Sequence, residues 1–259
     1  MAELEAEKQM GAVQRTVAIL ETLSRSGAVN LENLSRITGL PKATLLRFLS
    51  TLTSLGYVYR DEVDQYHLTL KMFSVGSRSL NHMDIVSIAK PFAVKLSEKL
   101  GETVHIAILE DDRAIYILKE ESRYNIRMYS RVGKSIPLYC TAIGKIFLSA
   151  MDETALSAYF ASHDLKPYTA KSIRSRQELE ADLAKAKAQG WSFDDAEHEE
   201  HIKCIAAPIR NYSNLVVAVL SVSWPEFRFE EARKQEWGKT IKETADELSA
   251  ILGYQKEKE

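Results

Sequence analysis

Residues 38–52 read TGLPKATLLRFLSTL. A helix over this stretch is leucine-rich on one side and carries Lys42, Thr44, Arg47, Ser50 and Thr51 elsewhere. At 100° per residue, with Lys42 at zero, Leu45, Phe48, Leu49, Leu52 and Leu55 fall between about 220° and 340°. Lys42, Leu46, Ser50, Arg47 and Thr51 fall between about 0° and 180°. The first stripe faces a core. The second is short-chained, hydroxyl-bearing and cationic, which suits a helix lying in a DNA major groove better than a solvated face built from Glu and Lys. Leu46 either meets a thymine methyl or packs on a neighbouring segment.

The flanking sequence supplies a setting for such a helix. Residues 13–23, VQRTVAILETL, place Val13, Val17, Leu20 and Leu23 near one helical face. Asn30 can cap a second helix with apolar positions Leu31, Leu34 and Ile37, and Gly39 supplies a left-handed stop. Pro41 suits the first turn of the third helix, where its missing N–H is no loss. After Gly56, the runs 57–60 and 65–68 flank the turn-prone Asp61-Glu62-Val63-Asp64, a hairpin signal. Three helices and a hairpin make a winged helix-turn-helix, which reads DNA with the second helix of the turn and steadies itself with the wing. The expected DNA-binding set is Lys42, Thr44 and Arg47, with Leu46 and Ser50 beside them and Arg60 on a wing phosphate.

Charge supports this division. Residues 11–60 hold six basic residues (Arg15, Arg25, Arg36, Lys42, Arg47, Arg60) against two acidic ones (Glu21, Glu32), a net +4 in a chain whose total is −2. A basic N-terminal unit on an acidic body fits a nucleic-acid module joined to something that avoids nucleic acid.

Residues 70–82, LKMFSVGSRSLNH, read as a linker helix; Asp84 caps the next helix, which Pro91 kinks or breaks and Gly101 terminates. From Thr103 onward short apolar runs at 104–109, 114–118, 126–129, 205–209 and 216–222 alternate with helical segments near 143–150, 153–161, 176–189 and 230–252. Hairpin-like spacing of the early runs implies an antiparallel sheet with helices beside it, an α+β domain. The expected organisation is a winged helix-turn-helix over 11–69, a linker helix over 70–83 and a second domain over 84–256.

With 259 residues, 45% hydrophobic and 27% charged, the composition is globular. No apolar run approaches the roughly 18 to 20 residues of a membrane span, and the N-terminus MAELEAEKQM is acidic where a signal peptide is basic then apolar. A cytoplasmic protein with no membrane partner and no cofactor is expected. Two cysteines, Cys140 and Cys204, read as reduced packing thiols rather than a disulfide framework.

Several motifs in fixed order carry a resemblance: TGLPKATLLRFLSTLTSLGYV, LGETVHIAIL, IPLYCTAIGKIFLSA, GWSFDDAEH, CIAAPI and LSVSWP. In these the chain resembles the IclR family of bacterial transcription regulators over nearly its whole length. YNIRMYSRVGKSIPLYCTAIGK and YHLTLKMF are most similar to its KdgR-like branch, which regulates pectin and sugar-acid catabolism. The resemblance implies a winged helix-turn-helix, a linker helix, a GAF- or profilin-like effector domain, and a homodimer or homotetramer on a pseudo-palindromic double-stranded DNA operator.

It also implies an effector, a small organic acid such as 2-keto-3-deoxygluconate, and a pocket for it. The corresponding positions are Ala142, Ile143, Asp194, Cys204, Ser221 and Ser223, with Met128 and Ile202 as walls. Backbone N–H groups at the start of helix 143–150 would hold a carboxylate. Ionised Asp194 would accept from ligand hydroxyls and repel the acid end, and Ser221 and Ser223, two apart on a strand, share a face. The chain departs from the family where glycine is usual, at Ala142 and His201, and both changes are expected to narrow the pocket or add a donor. Arg127 and Arg131 could assist with an anion. A different acid, glyoxylate- or pyruvate-like or aromatic, is the alternative effector.

Two readings of another class compete. His198, His201 and Cys204, spaced by three with Asp194 nearby, have the ligand types of a zinc site, though HEEH is one residue short of the HExxH pattern. As nucleophiles, Cys140 and Ser221 lack an assignable base, and no nucleophile elbow or phosphate loop is present. An enzyme is therefore not expected.

Overall fold

The computed structural model describes residues 11–80, 84–125 and 129–256. They form two compact units, the second beginning at Asp84.

In the first unit α1 (Ala12–Ser26), α2 (Leu31–Thr38) and α3 (Lys42–Ser54) pack with a sheet of β1 (Val29–Asn30), β2 (Val58–Arg60) and β3 (Gln65–Leu68), in the order β1-β3-β2. Asn30 caps α2, its side chain accepting the Asn33 N–H (2.9 Å), and Gly39 at φ 71° ends it in the left-handed conformation. Pro41 is the residue before α3 rather than a member of its first turn. In the wing turn Asp61 Oδ1 accepts the Gln65 N–H (2.8 Å) and Asp61 Oδ2 meets His67 Nε2 (2.7 Å).

The small core contains Ile19, Leu23, Leu34, Leu45, Leu49, Leu52 and Val58. It reaches only the second half of α1, so the expected stripe is wrong there: Ile19 and Leu23 are buried while Val13 and Val17 are exposed. Ile37 and Leu55, also expected inward, are exposed for the same reason of core size. After the wing, α4 spans Leu70–Leu80. Lys71 Nζ, near its start, donates to the Leu55 carbonyl (2.7 Å).

The second unit is a six-stranded antiparallel sheet with order β6-β5-β4-β9-β8-β7, from β4 (Thr103–Glu110), β5 (Arg113–Glu120), β6 (Ser135–Ile136), β7 (Ser192–Asp195), β8 (Ile202–Arg210) and β9 (Val216–Pro225). Strand alternation sends Val104, Ile106, Ile205, Leu220 and Val222 to one face, against α5 (Ile85–Leu100) and α9 (Lys234–Ile251). Asp84 caps α5 as expected, and the helix continues through Pro91 without a break. The other face, with Ala107, Ala206 and Val219, packs on α6 (Ala142–Ala150) and α8 (Arg176–Gln189), with α7 (Glu153–Ser162) between them in sequence. Most of the strand expected over 126–129 lies outside the described residues. The architecture is the expected α+β one. Among the described residues no helix is long and apolar enough to cross a membrane.

Candidate functional sites: a helix face and a buried cavity

On α3 the burial follows the helical wheel. Leu45, Leu49 and Leu52 are buried, Phe48 and Thr44 are half-buried, and Lys42, Leu46, Arg47 and Ser50 are exposed. Lys42 Nζ lies 3.3 Å from Glu32 and the Arg47 guanidinium stands 5.6 Å from the Phe48 ring centroid. Both contacts are at the surface, where an ion pair contributes little and yields readily to phosphate. Arg60 is exposed on the wing, paired to Asp64 at 2.9 Å and lying over the Tyr66 ring. Leu46 is exposed and does not pack into the first unit's core.

The second site lies between the sheet and the N-terminus of α6. Thr141 caps that helix: its Oγ1 accepts the Gly144 N–H (3.0 Å) and donates to the Pro137 carbonyl (2.7 Å). Gly144 sits so close to the preceding loop that a Cβ there would stand 2.1 Å from Leu138 Cα. This contact fixes where the helix begins. The Ala142 and Ile143 N–H groups have no intrahelical acceptor, as the first turn of any helix requires. They border a small cavity open to solvent.

Two rungs of the sheet supply Asp194, Cys204, Ser223, Ser221 and His105 to the cavity lining. One pairs Asp194, Cys204, Ser223 and Thr103 across β7, β8, β9 and β4; the next pairs Ser192, Ala206, Ser221 and His105. A bulge at Ile117 of β5, opposite the Ile106–Ala107 step of β4, places Tyr116 opposite Ala107 while Leu118 stays opposite Ile106. Tyr116 therefore stays on the cavity side, stacked on His105 with ring centroids 4.5 Å apart.

Ala142, Ile143, Asp194, Ile202, Cys204, Ser221 and Ser223 all line this cavity. Met128 and Arg127 lie outside the described residues, and Arg131 is exposed. His105, Tyr116, Ser130, Ile136, Thr141, His198 and Glu199 also line it; the sequence singles out only His198 of these, and as a zinc ligand instead of a pocket residue. His105 and Ser221 are register partners, a relation visible only once strand pairing is known.

Two expectations are revised, and one competing reading finds no geometry to support it. Burial, followed by the charge of Glu197, raises the pKa of Asp194 well above its ordinary value, which favours the protonated carboxyl over the ionised acceptor expected. Its Oδ1 accepts the Glu197 N–H (2.7 Å). Burial raises Glu197 too, and contact with Lys145 opposes this. His201 does not narrow the cavity. Its φ of 64° explains why glycine suits that position, and its ring is exposed beside Glu226 (3.1 Å). The zinc-like triplet is not assembled either. His198 packs edge-on to Tyr168, the Cys204 thiol donates to Ser223 Oγ (3.2 Å), and among the described residues no three His, Cys, Asp or Glu gather around a point.

Behind Asp194 lies an ion network that sequence reading passed over. Lys145 Nζ, 1% exposed, donates to Glu197 Oε1 (2.5 Å), Asp182 Oδ2 (2.8 Å) and the Phe193 carbonyl (2.8 Å). All three ammonium protons are used. One cation in the apolar run AIGKIFLSA was the available signal. Both cysteines are free thiols, and burial raises both pKa values, the opposite of a nucleophile's environment.

Comparison with known proteins agrees with both halves. Residues 12–62 match the IclR helix-turn-helix domain and residues 77–250 match the bacterial transcriptional regulator IclR C-terminal domain. The HTH-type transcriptional regulator KdgR of Escherichia coli (strain K12) is 36% identical over 258 residues, 98% of either chain. The HTH-type transcriptional repressor AllR of Salmonella typhi is 33% identical over 97% of this chain and 93% of its own. Among solved structures, Agobacterium tumefaciens repressor BlcR superposes with a TM-score of 0.79 at 28% identity, covering 96% of this chain and 99% of that one. The C-terminal domain of E. coli KdgR covers 66% of this chain and all of its own, with a TM-score of 0.60 at 34% identity. These relatives are named as regulators and repressors, not enzymes. The chain belongs to the IclR family of bacterial transcriptional regulators, with a helix-turn-helix DNA-binding domain at its N-terminus.

Proposed function

We propose that this regulator grips a pseudo-palindromic operator through the Lys42, Thr44, Leu46, Arg47 and Ser50 face of α3 and through Arg60. A small organic acid bound in the second unit controls that grip. The head covers 11–69, the linker 70–83 and the effector domain 84–256. The protein acts as a homodimer or homotetramer, since a palindrome calls for two-fold symmetry. Val13, Val17, Leu70 and Phe73 are exposed apolar side chains that pairing of copies would cover.

One observation carries the effector half: a cavity that brings the N-terminus of α6 together with the buried Asp194 carboxyl and the Ser221 and Ser223 hydroxyls, burial raising the pKa of that carboxyl. The helix N-terminus attracts a carboxylate, and protonated Asp194 can donate to it instead of repelling it. The similarity to KdgR and the cavity's hydroxyls favour a sugar-acid catabolite, 2-keto-3-deoxygluconate. The acid alters operator affinity only as far as it prefers one arrangement of the protein over another.

The test is the pH dependence of acid binding. Asp194 is protonated below its raised pKa, so affinity for the ligand anion falls as pH rises through that value. Asp194→Asn, always neutral and still a donor, should keep binding and flatten the pH profile in calorimetric titrations. Unchanged pH dependence in the variant would show that Asp194 is not the group that titrates against the ligand.

A further inference from the structure

His105 stands in the cavity wall without a role in the account above. It is 1% exposed, and its ring is fixed from two sides, by the Tyr116 stack and by a 2.7 Å hydrogen bond between Nε2 and Ser130 Oγ. Its Nδ1 is buried and has no hydrogen-bond partner among the described residues. Burial, reinforced by the nearby charges of Lys119 and Lys134, lowers its pKa to about 3, so the imidazole is neutral at any working pH.

A neutral imidazole has two tautomers, and the Ser130 hydroxyl suits both. If Nε2–H donates to Ser130, Nδ1 is a bare acceptor. If the Ser130 hydroxyl donates to Nε2, Nδ1 carries the proton and is a donor. Nδ1 is unsatisfied in either case, and a buried orphan of this kind is uncommon enough in folded proteins to point to an absent partner. A carboxylate could serve only the donor form. A hydroxyl serves both.

We infer that His105 is a specificity-determining residue that selects hydroxylated acids over unhydroxylated ones by pairing its Nδ1 with a hydroxyl of the bound ligand. The inference rests on the cavity being the acid site. The acid end then lies at the α6 N-terminus, and the hydroxyl-bearing end lies along the rung that joins His105 to Ser221. Ser130 holds the ring in register for this contact.

The test uses the full-length protein titrated calorimetrically with 2-keto-3-deoxygluconate, which carries hydroxyls, and pyruvate, which carries none. His105→Asn places an amide near the position of Nδ1; His105→Gln places one near Nε2. The wild type and His105→Asn should both prefer the hydroxylated acid. His105→Gln should lose roughly tenfold or more of its affinity for that acid while binding pyruvate as the wild type does. If His105→Gln weakens both acids equally, or neither, the inference is overturned, with His105→Asn as the check that position 105 tolerates an amide. Ser223→Leu, which fills the cavity, separates this failure from that of the site itself. If both acids still bind Ser223→Leu normally, the cavity reading falls and the His105 inference with it. If Ser223→Leu excludes both acids and His105→Gln leaves selectivity intact, only the role of His105 is lost.

Discussion

Replacing Lys145 with Met should destabilise the protein by about 3–5 kcal/mol, the range seen when one partner of a buried ion pair is removed, and lower its melting temperature by roughly 10 °C. Met keeps most of the chain volume, so the loss reports mainly on charge. Glu197, with its carboxylate buried, would keep no cation, and its Oε2 already lacks a partner. Asp182 is less affected because it is partly exposed and also meets Lys185 (3.4 Å). The sign of the pH dependence follows. Without Lys145, burial holds the folded-state pKa of Glu197 above its ordinary 4.5. The variant's deficit is therefore smallest below that value, where Glu197 is protonated in both states, and grows as pH rises through the raised folded value. Adding Glu197→Gln to Lys145→Met should recover part of the loss, because no charge then remains stranded at that position. Urea unfolding of the wild type and the two variants checks this, and a Lys145→Met protein within about 1 kcal/mol of wild type would show the network to be dispensable.

Arg47→Ala should weaken operator binding on the order of 10- to 100-fold per half-site, the cost of one lost base-reading arginine, while leaving acid binding in the second unit unchanged. The side chain is exposed and its removal uncovers none of Leu45, Leu49 or Leu52, so a folding defect is not expected to mimic the effect. Lys42→Ala should behave differently. A phosphate contact carries no sequence information, so its loss should weaken all duplexes alike and reduce the salt slope by about one. Fluorescence anisotropy with operator and scrambled duplexes at several salt concentrations separates the two, and normal operator affinity in Arg47→Ala would remove α3 from the interface.

Local signals were the legible part of the fold. Asn30, Gly39, Asp84 and Gly101 act as the helix caps that their side chains or lack of one suggest, and α8 spans the residues that periodicity indicated. Errors arose where a local pattern depended on the extent of a core. Val13 and Val17 satisfy helical spacing yet lie beyond the reach of a small hydrophobic cluster. Strands of two residues, such as Val29–Asn30, are too short to carry a period.

At the candidate site the limit was register. Asp194, Cys204 and Ser223 share a rung although 29 residues separate the first from the last, and spacing alone could not group them; resemblance to a family did. His105 and Tyr116 escaped because their cavity-facing position depends on pairing with β9 and on a bulge. The raised pKa of Asp194 follows from burial and from Glu197 beside it, neither of which spacing reveals. Each of these is a non-local property.

The central claim is that acid in the cavity governs the hold of the heads on DNA. It is tested most directly by titrating an operator duplex with the full-length protein, with and without saturating 2-keto-3-deoxygluconate, and reading anisotropy. The acid should shift the operator midpoint by roughly 5- to 150-fold, the usual range of allosteric coupling, and Ser223→Leu should abolish the shift while binding operator normally in the acid's absence. An operator midpoint that does not move, while calorimetry shows the acid bound in the cavity, would contradict the account.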